Sequence, residues 1–141
     1  MSGDGGIAML FGELMTAVQE KLPIKIVVFD NGKLGFIDIE QKSEGMLPLF
    51  TTLQNPDFGK VAETIGLWGR TVARSDELEA AVLEWLSQPG PALLNVMVDT
   101  MTLVMPPKME WGPMYGMALY SAKAILSGQS ADVFAMIKEN L

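Results

Sequence analysis

Two short clusters constrain this chain more than anything else in it: Gly3-Asp4-Gly5-Gly6 and Asp30-Asn31-Gly32-Lys33-Leu34-Gly35-Phe36. The 24 residues between Gly5 and Asp30 read as one helix followed by one strand. Ile7, Leu10, Phe11, Leu14 and Val18 recur at three- and four-residue steps, which predicts a helix over Ile7–Gln19 with one buried face. Pro23 stops it. Ile24–Phe29 is a β-branched run without strict alternation, as expected of a parallel strand covered on both faces. Gly5 and Gly6 let the backbone approach an anion closely, and a helix opening at Ile7 aims free N–H groups and a positive dipole end at it. Asp4 adds a carboxylate at that mouth. A strand ending near Ser2, paired in parallel with Ile24–Phe29, brings Asn31 to the same place, because open α/β sheets bind ligands at the carboxyl ends of their strands. Asp-Gly and Gly-Gly are ordinary turn formers on their own. The paired spacing makes them a phosphate-and-metal site, with Mg²⁺ as the cation that suits a few hard oxygen ligands while keeping places for phosphate and water.

The remaining chain alternates helix and strand. Leu34–Lys42 reads as a short helix ended by Ser43-Glu44-Gly45, and Met46–Gln54 as an irregular loop over the site. Asp38, Glu40 and Glu44 suit the solvated face of that helix and receive no chemical role. Asn55-Pro56 has the look of a helix start, Asn as cap and Pro in first position, with Phe58, Val61, Ala62 and Ile65 as the apolar stripe. A strand over Trp68–Ala73 follows. Ser75 is expected to cap a helix whose inner face is Leu78, Val82, Trp85 and Leu86; Pro89-Gly90-Pro91 breaks it, and Ala92–Val98 is a further buried strand. This order predicts an α/β fold, a three-layer parallel sheet with helices on both faces and right-handed crossovers. Pro106, Pro107 and Pro113 mark Met101–Met114 as an extended arm. Gly116–Leu126 reads as a helix, and Ser130 as the cap of a last one with Val133, Phe134, Ile137 and Leu141 on one side. Residues 1–100 and 101–141 are therefore expected as two parts, a cofactor-binding sheet and a C-terminal arm with tail helices. The 11 methionines fit either an adaptable interaction surface or core gap-filling.

Composition removes whole classes of chemistry. The formal charge of −7 argues against nucleic acid, whose binders need a basic face to release counterions from phosphates. With no cysteine and no histidine, thiol catalysis, disulfides, imidazole acid–base chemistry and His-ligated metals are excluded. No signal-like start or bilayer-length apolar run is present. A cytoplasmic location is the expectation.

Gly-Asp-Gly, a helix-and-strand spacer and the pair Asp30-Asn31 closely resemble the thiamine diphosphate motif. Lys21-Leu22-Pro23-Ile24-Lys25-Ile26-Val27-Val28-Phe29, the Leu34-Gly35-Phe36 turn, Leu119-Tyr120 and Ala124-Ile125-Leu126-Ser127-Gly128 resemble pyruvate oxidases and quinone-linked pyruvate dehydrogenases. The resemblance implies an enzyme that decarboxylates pyruvate with thiamine diphosphate, Mg²⁺ and FAD and passes electrons to a quinone or oxygen. It implies that Asp4 and Asn31 side chains hold Mg²⁺ with the Lys33 carbonyl, and that Gly5 and Gly6 meet the diphosphate. Gly32, Lys33 and Leu34 complete the binding turn, and Gly35, Phe36 and Ile37 border the thiazolium. Phe36 is equally open to plain core packing. It also implies a homo-oligomer, and, for quinone-linked members, peripheral contact of the last helix with the inner face of the cell membrane. The family's FAD- and pyrimidine-binding domains lie upstream of such a segment, so the chain reads as a fragment that supplies binding and no catalytic residue. Asp30 departs from the pattern by standing where the family usually has the first Asn. Acetolactate synthases share the motif and stand as an alternative, as does a non-catalytic phosphate-binding or interaction module.

Overall fold

A computed structural model describes residues 1–100 and 111–139. They divide into two compact units, one of residues 1–32 and 53–98, the other of residues 33–52, 99–100 and 111–139. The stretch 33–52 thus groups with the C-terminal residues, across the boundary expected at residue 100.

The first unit holds a four-stranded, all-parallel sheet of β1 (Ser2–Gly3), β2 (Lys25–Asp30), β3 (Trp68–Val72) and β4 (Ala92–Met97), in the order β1-β2-β4-β3. Three of these strands lie within a residue or two of the predicted ranges, and Ser2–Gly3 pairs with Val28 and Phe29 as the short fourth. Period-two alternation sorts the core. Val28 and Leu93 face α1 (Asp4–Leu10), α2 (Glu13–Gln19) and α4 (Phe58–Thr64), where they pack with Ile7, Leu14, Phe58, Ala62 and Leu67. Leu94 and Val72 face the other way, onto Ala81, Leu78, Val82 and Trp85 of α5 (Ser75–Ser87). Helices therefore flank both faces of the sheet, as expected. The Trp85 indole N–H also donates to the Ala92 carbonyl at 3.1 Å, fixing α5 to the start of β4.

Several local expectations change. The first helix begins at Asp4, not Ile7, so Gly5 and Gly6 lie inside its first turn. Phe11 and Gly12 interrupt it: both keep helical dihedrals, but the amides of Leu14 and Met15 reach back only three residues, to the carbonyls of Phe11 and Gly12. That tighter turn rotates the stripe, leaving Leu10 exposed and Ala17 buried. Asp57, not Asn55, caps α4, its carboxylate accepting the Lys60 amide at 3.1 Å. Ser75 is the first helical residue of α5 and makes no side-chain cap, while Leu86 is exposed. Gly59 of α4 and Gly69 of β3 touch backbone to backbone; a Cβ on Gly69 would lie 2.1 Å from the Gly59 carbonyl oxygen. No larger residue permits that approach.

In the second unit, α3 (Gly35–Ser43) follows a strand-like crossing in which Lys33 bridges antiparallel to Thr52. The helix α6 (Trp111–Leu126) already includes Trp111–Met114, correcting that end of the expected extended arm. Pro113 sits in its first turn, where a missing N–H costs nothing. Residues 101–110 of the arm and Leu141 of the tail lie outside the described residues. Along α7 (Ser130–Glu139), Val133 and Met136 pack against Tyr120 and Ala124 of α6, while Phe134 and Ile137 are exposed. The predicted single apolar side is split accordingly. Asp38 is also corrected: it is buried, not solvated, whereas Glu40 and Glu44 are exposed.

Candidate cofactor and metal site

The site lies at the carboxyl ends of β1, β2, β4 and β3, on the face that α1 and α4 cover. Alternation that points Val28 and Leu93 into the core points the next residues on that face, Asp30 and Asn95, toward the strand ends. Thr71 joins them from β3, where it pairs in register with Asn95. The polar groups sit where the apolar run stops.

Asp4 follows β1 directly and is 3% exposed; Asp30 ends β2 and is also 3% exposed. One amide joins them. Asn55 Nδ2 donates to Asp4 Oδ2 at 2.7 Å and to Asp30 Oδ1 at 2.8 Å. Asp30 Oδ1 takes the Gly32 amide as well, at 3.2 Å, an Asx turn that Gly32 completes with a φ of +65°. Asn95 is fully buried; its Nδ2 reaches Asp30 Oδ2 at 3.4 Å and Thr71 Oγ1 at 3.5 Å, and its Oδ1 has no partner. The Thr71 hydroxyl in turn donates to Asp57 Oδ1 at 2.5 Å. Burial pushes the Asp57 carboxyl up, but the Thr71 hydroxyl together with the Lys60 amide and ammonium outweighs it and holds the group below its usual range. A continuous polar chain therefore runs from the cap of α4 to Asp4. Beside it opens a cleft of about 350 Å³, lined by Asp30, Asn55, Asp57, Thr71 and Asn95 among others.

Two nearly buried carboxylates joined through a neutral amide are an unfavourable arrangement unless a cation accompanies them. Neither Asp4 nor Asp30 enters any ion pair found among the described residues. Among those residues there is also no cluster of three or more Asp, Glu, His or Cys side chains able to cage a metal. A hard cation completing its shell with non-protein oxygens fits this donor set, and Mg²⁺ binds in that way. Of the residues singled out in the sequence, Asp4, Gly5, Gly6, Asn31 and Gly32 fall in the first unit. Gly5 and Gly6 are half-buried in the first turn of α1, and Asn31 is half-buried in the turn after β2. Lys33, Leu34, Gly35, Phe36 and Ile37 fall in the second. There Leu34 donates its amide to the Thr51 carbonyl at 2.8 Å and precedes α3. Phe36 is 74% exposed and Ile37 45%, so core packing does not account for Phe36. Asn55, Asn95 and Thr71 were not singled out. Asn55 precedes Pro56 and reads as a helix cap, and a polar residue within the run Ala92–Val98 was the one available signal for Asn95.

Fold and polar residues together define an α/β domain with two buried carboxylates and the first-turn glycines of α1 at the ends of parallel strands. The family described as "Thiamine pyrophosphate enzyme, C-terminal TPP binding domain" matches residues 1–96. The chain belongs to that family. It is 35% identical over 136 residues to the protein YdaP of Bacillus subtilis, covering 96% of this chain and 24% of that protein. It is 37% identical over 108 residues to the acetolactate synthase isozyme 2 large subunit of Escherichia coli, covering 75% of this chain and 20% of that subunit. The crystal structure of benzoylformate decarboxylase from Polynucleobacter necessarius is similar, with a TM-score of 0.64 and 27% identity, over 70% of this chain and 19% of that one. The chain thus spans a quarter or less of the length of these relatives. No helix among the described residues is long and apolar enough to cross a membrane.

Proposed function

We propose that this chain supplies the Mg²⁺- and diphosphate-binding part of a thiamine diphosphate enzyme that oxidatively decarboxylates pyruvate, with FAD and a quinone or oxygen as the further electron carriers. The observation that carries the cofactor part is the Asp4–Asn55–Asp30 junction at the ends of β1 and β2, directly beside Gly5 and Gly6. The Asp4 and Asn31 side chains hold Mg²⁺, and the Lys33 carbonyl is the third protein ligand by resemblance. The amides of Gly5 and Gly6, free of intrahelical partners in the first turn of α1, donate to the diphosphate. When bound, thiamine diphosphate supplies the carbanion chemistry and electron sink of the decarboxylation. The chain's own residues bind and orient it. By the same resemblance, Gly35, Phe36 and Ile37 border the thiazolium; Phe36 and Ile37 are exposed at the start of α3.

The pyruvate oxidase side of the family is favoured by the resemblance of Leu119-Tyr120 and Ala124–Gly128, in the stretch beyond residue 96. Acetolactate synthase is the second reading, favoured by the 37% identity to that enzyme. Calorimetric titration of Asp4→Ala and Asn31→Ala with Mg²⁺ and thiamine diphosphate tests the site: both abolish Mg²⁺-dependent binding, and unchanged affinity in either rejects the metal assignment. The reaction is tested on the protein isolated from its own host with whatever polypeptides accompany it. Pyruvate-dependent reduction of a quinone supports the first reading, and acetolactate formation without acceptor reduction the second.

A further inference from the structure

We infer that Asn55 is the positioning residue of the metal site, the group that aims Asp4 at the cation. This rests on Asp4 being the Mg²⁺ ligand. An Asn side chain has two N–H hydrogens, and Asn55 has a carboxylate oxygen within 2.8 Å for each: Asp4 Oδ2 and Asp30 Oδ1. Holding Oδ2 fixes the plane of the Asp4 carboxylate and leaves Oδ1 as the oxygen offered to a cation. Carboxylates that bind metals are themselves hydrogen-bonded in this way, and those outer partners matter nearly as much as the ligands.

The amide is held from both sides along its own loop. Two residues before it, the Leu53 amide donates to the Gly32 carbonyl at 2.8 Å, at the turn that carries Asp30 and Asn31. Two residues after it, Asp57 caps α4 and accepts the Thr71 hydroxyl. Asn55 is therefore tied both to the metal-bearing turn and to the sheet's far strand. Its neutrality matters equally. A Lys or Arg in its place would compete with a cation for the Asp4 carboxylate, whereas an amide orients that carboxylate without adding a charge.

The test is an NMR titration of the ¹⁵N-labelled chain with Mg²⁺, alone and with thiamine diphosphate, which reads weak binding as well as tight. In the wild-type chain the Asn55 side-chain amide and the Gly5 and Gly6 backbone amides shift with one midpoint. In Asn55→Ala the Mg²⁺ dissociation constant rises about 10- to 100-fold while amides remote from the site keep their positions. Unchanged Mg²⁺ affinity in Asn55→Ala overturns the positioning role and leaves the cofactor reading intact. Should Asn55→Ala not fold, the wild-type titration still decides: an Asn55 side-chain amide unmoved while Gly5 and Gly6 shift overturns the role. No shift anywhere in the wild-type chain overturns the cofactor reading and the positioning role together.

Discussion

Lys42 Nζ lies 2.5 Å from Asp38 Oδ2, one turn along α3, and both side chains are 6% exposed. The Thr51 hydroxyl donates to the other Asp38 oxygen at 3.1 Å, and the Lys42 ammonium stands 5.3 Å from the centre of the Tyr120 ring. Charges so deeply withdrawn from water are tolerable as a pair and costly singly. Asp38→Ala is expected to destabilise the chain by about 3–5 kcal/mol, because it strands a buried ammonium. The double replacement Asp38→Leu with Lys42→Met loses much less. Urea unfolding of the three proteins checks this; a double variant as unstable as Asp38→Ala would contradict it.

Tyr120 predicts a loss of stability at alkaline pH. Burial, then the carboxylates of Asp132 and Asp38, raise its phenol above the ordinary value of 10.0. The folded state therefore keeps its proton at a pH where the unfolded chain has begun to lose its own. The contribution is complete below the unfolded value and declines as pH rises from there through the folded one. Tyr120→Phe removes that decline. Melting temperatures of both proteins across the alkaline range measure the difference, and parallel curves would refute it.

Asp30→Asn should be accepted by the fold and should tighten binding of the anionic cofactor. An amide oxygen at position 30 can still receive the Asn55 and Gly32 N–H groups, while its new NH₂ group meets Asn95, whose buried Oδ1 has no partner. A turn of the Asn95 amide then lets its Oδ1 accept from position 30, while its NH₂ group gives up Thr71 Oγ1. The two changes roughly cancel, so the fold keeps a junction of similar strength without the charge at position 30. Calorimetry and thermal melts of the variant test both halves; weaker cofactor binding would mean that the charge at Asp30 serves the site.

Gly69→Ala is expected to cost about 3 kcal/mol, the upper range for overpacking, since its Cβ would press on the Gly59 carbonyl. Gly90→Ala is the control, having nothing within 4 Å of the added carbon. Equal stabilities would show that α4 can move off β3 freely.

Much of this architecture was legible because it depends on local pattern. The β-branched run ending at Phe29 and the buried run from Ala92 declared their strands, and the spacing from Asp4 to Asn31 put both residues just past the ends of neighbouring parallel strands. What was missed depends on contacts distant in sequence. Asn55 beside Pro56 looks like a cap, and only the fold shows that its amide is taken by two carboxylates while Asp57 does the capping. Asp38 has the sequence surroundings of a solvated helix face, and its burial follows from Thr51 and Tyr120 closing over it. The interruption at Phe11–Gly12 was likewise hidden, because the residues on either side keep helical spacing.

The polar chain beside the cleft is closed entirely by long-range bonds: Asn55 lies 51 residues from Asp4, and Asn95 lies 65 from Asp30. Ordering such loops is an entropic cost met before any of these bonds rewards it. The sheet and its apolar faces can assemble on hydrophobic contacts alone, and the carboxylate pair draws together only once both loops have closed. The polar junction therefore assembles late in folding, and under the proposed function a cation held by Asp4 would act as a latch on the finished topology, slowing its reopening.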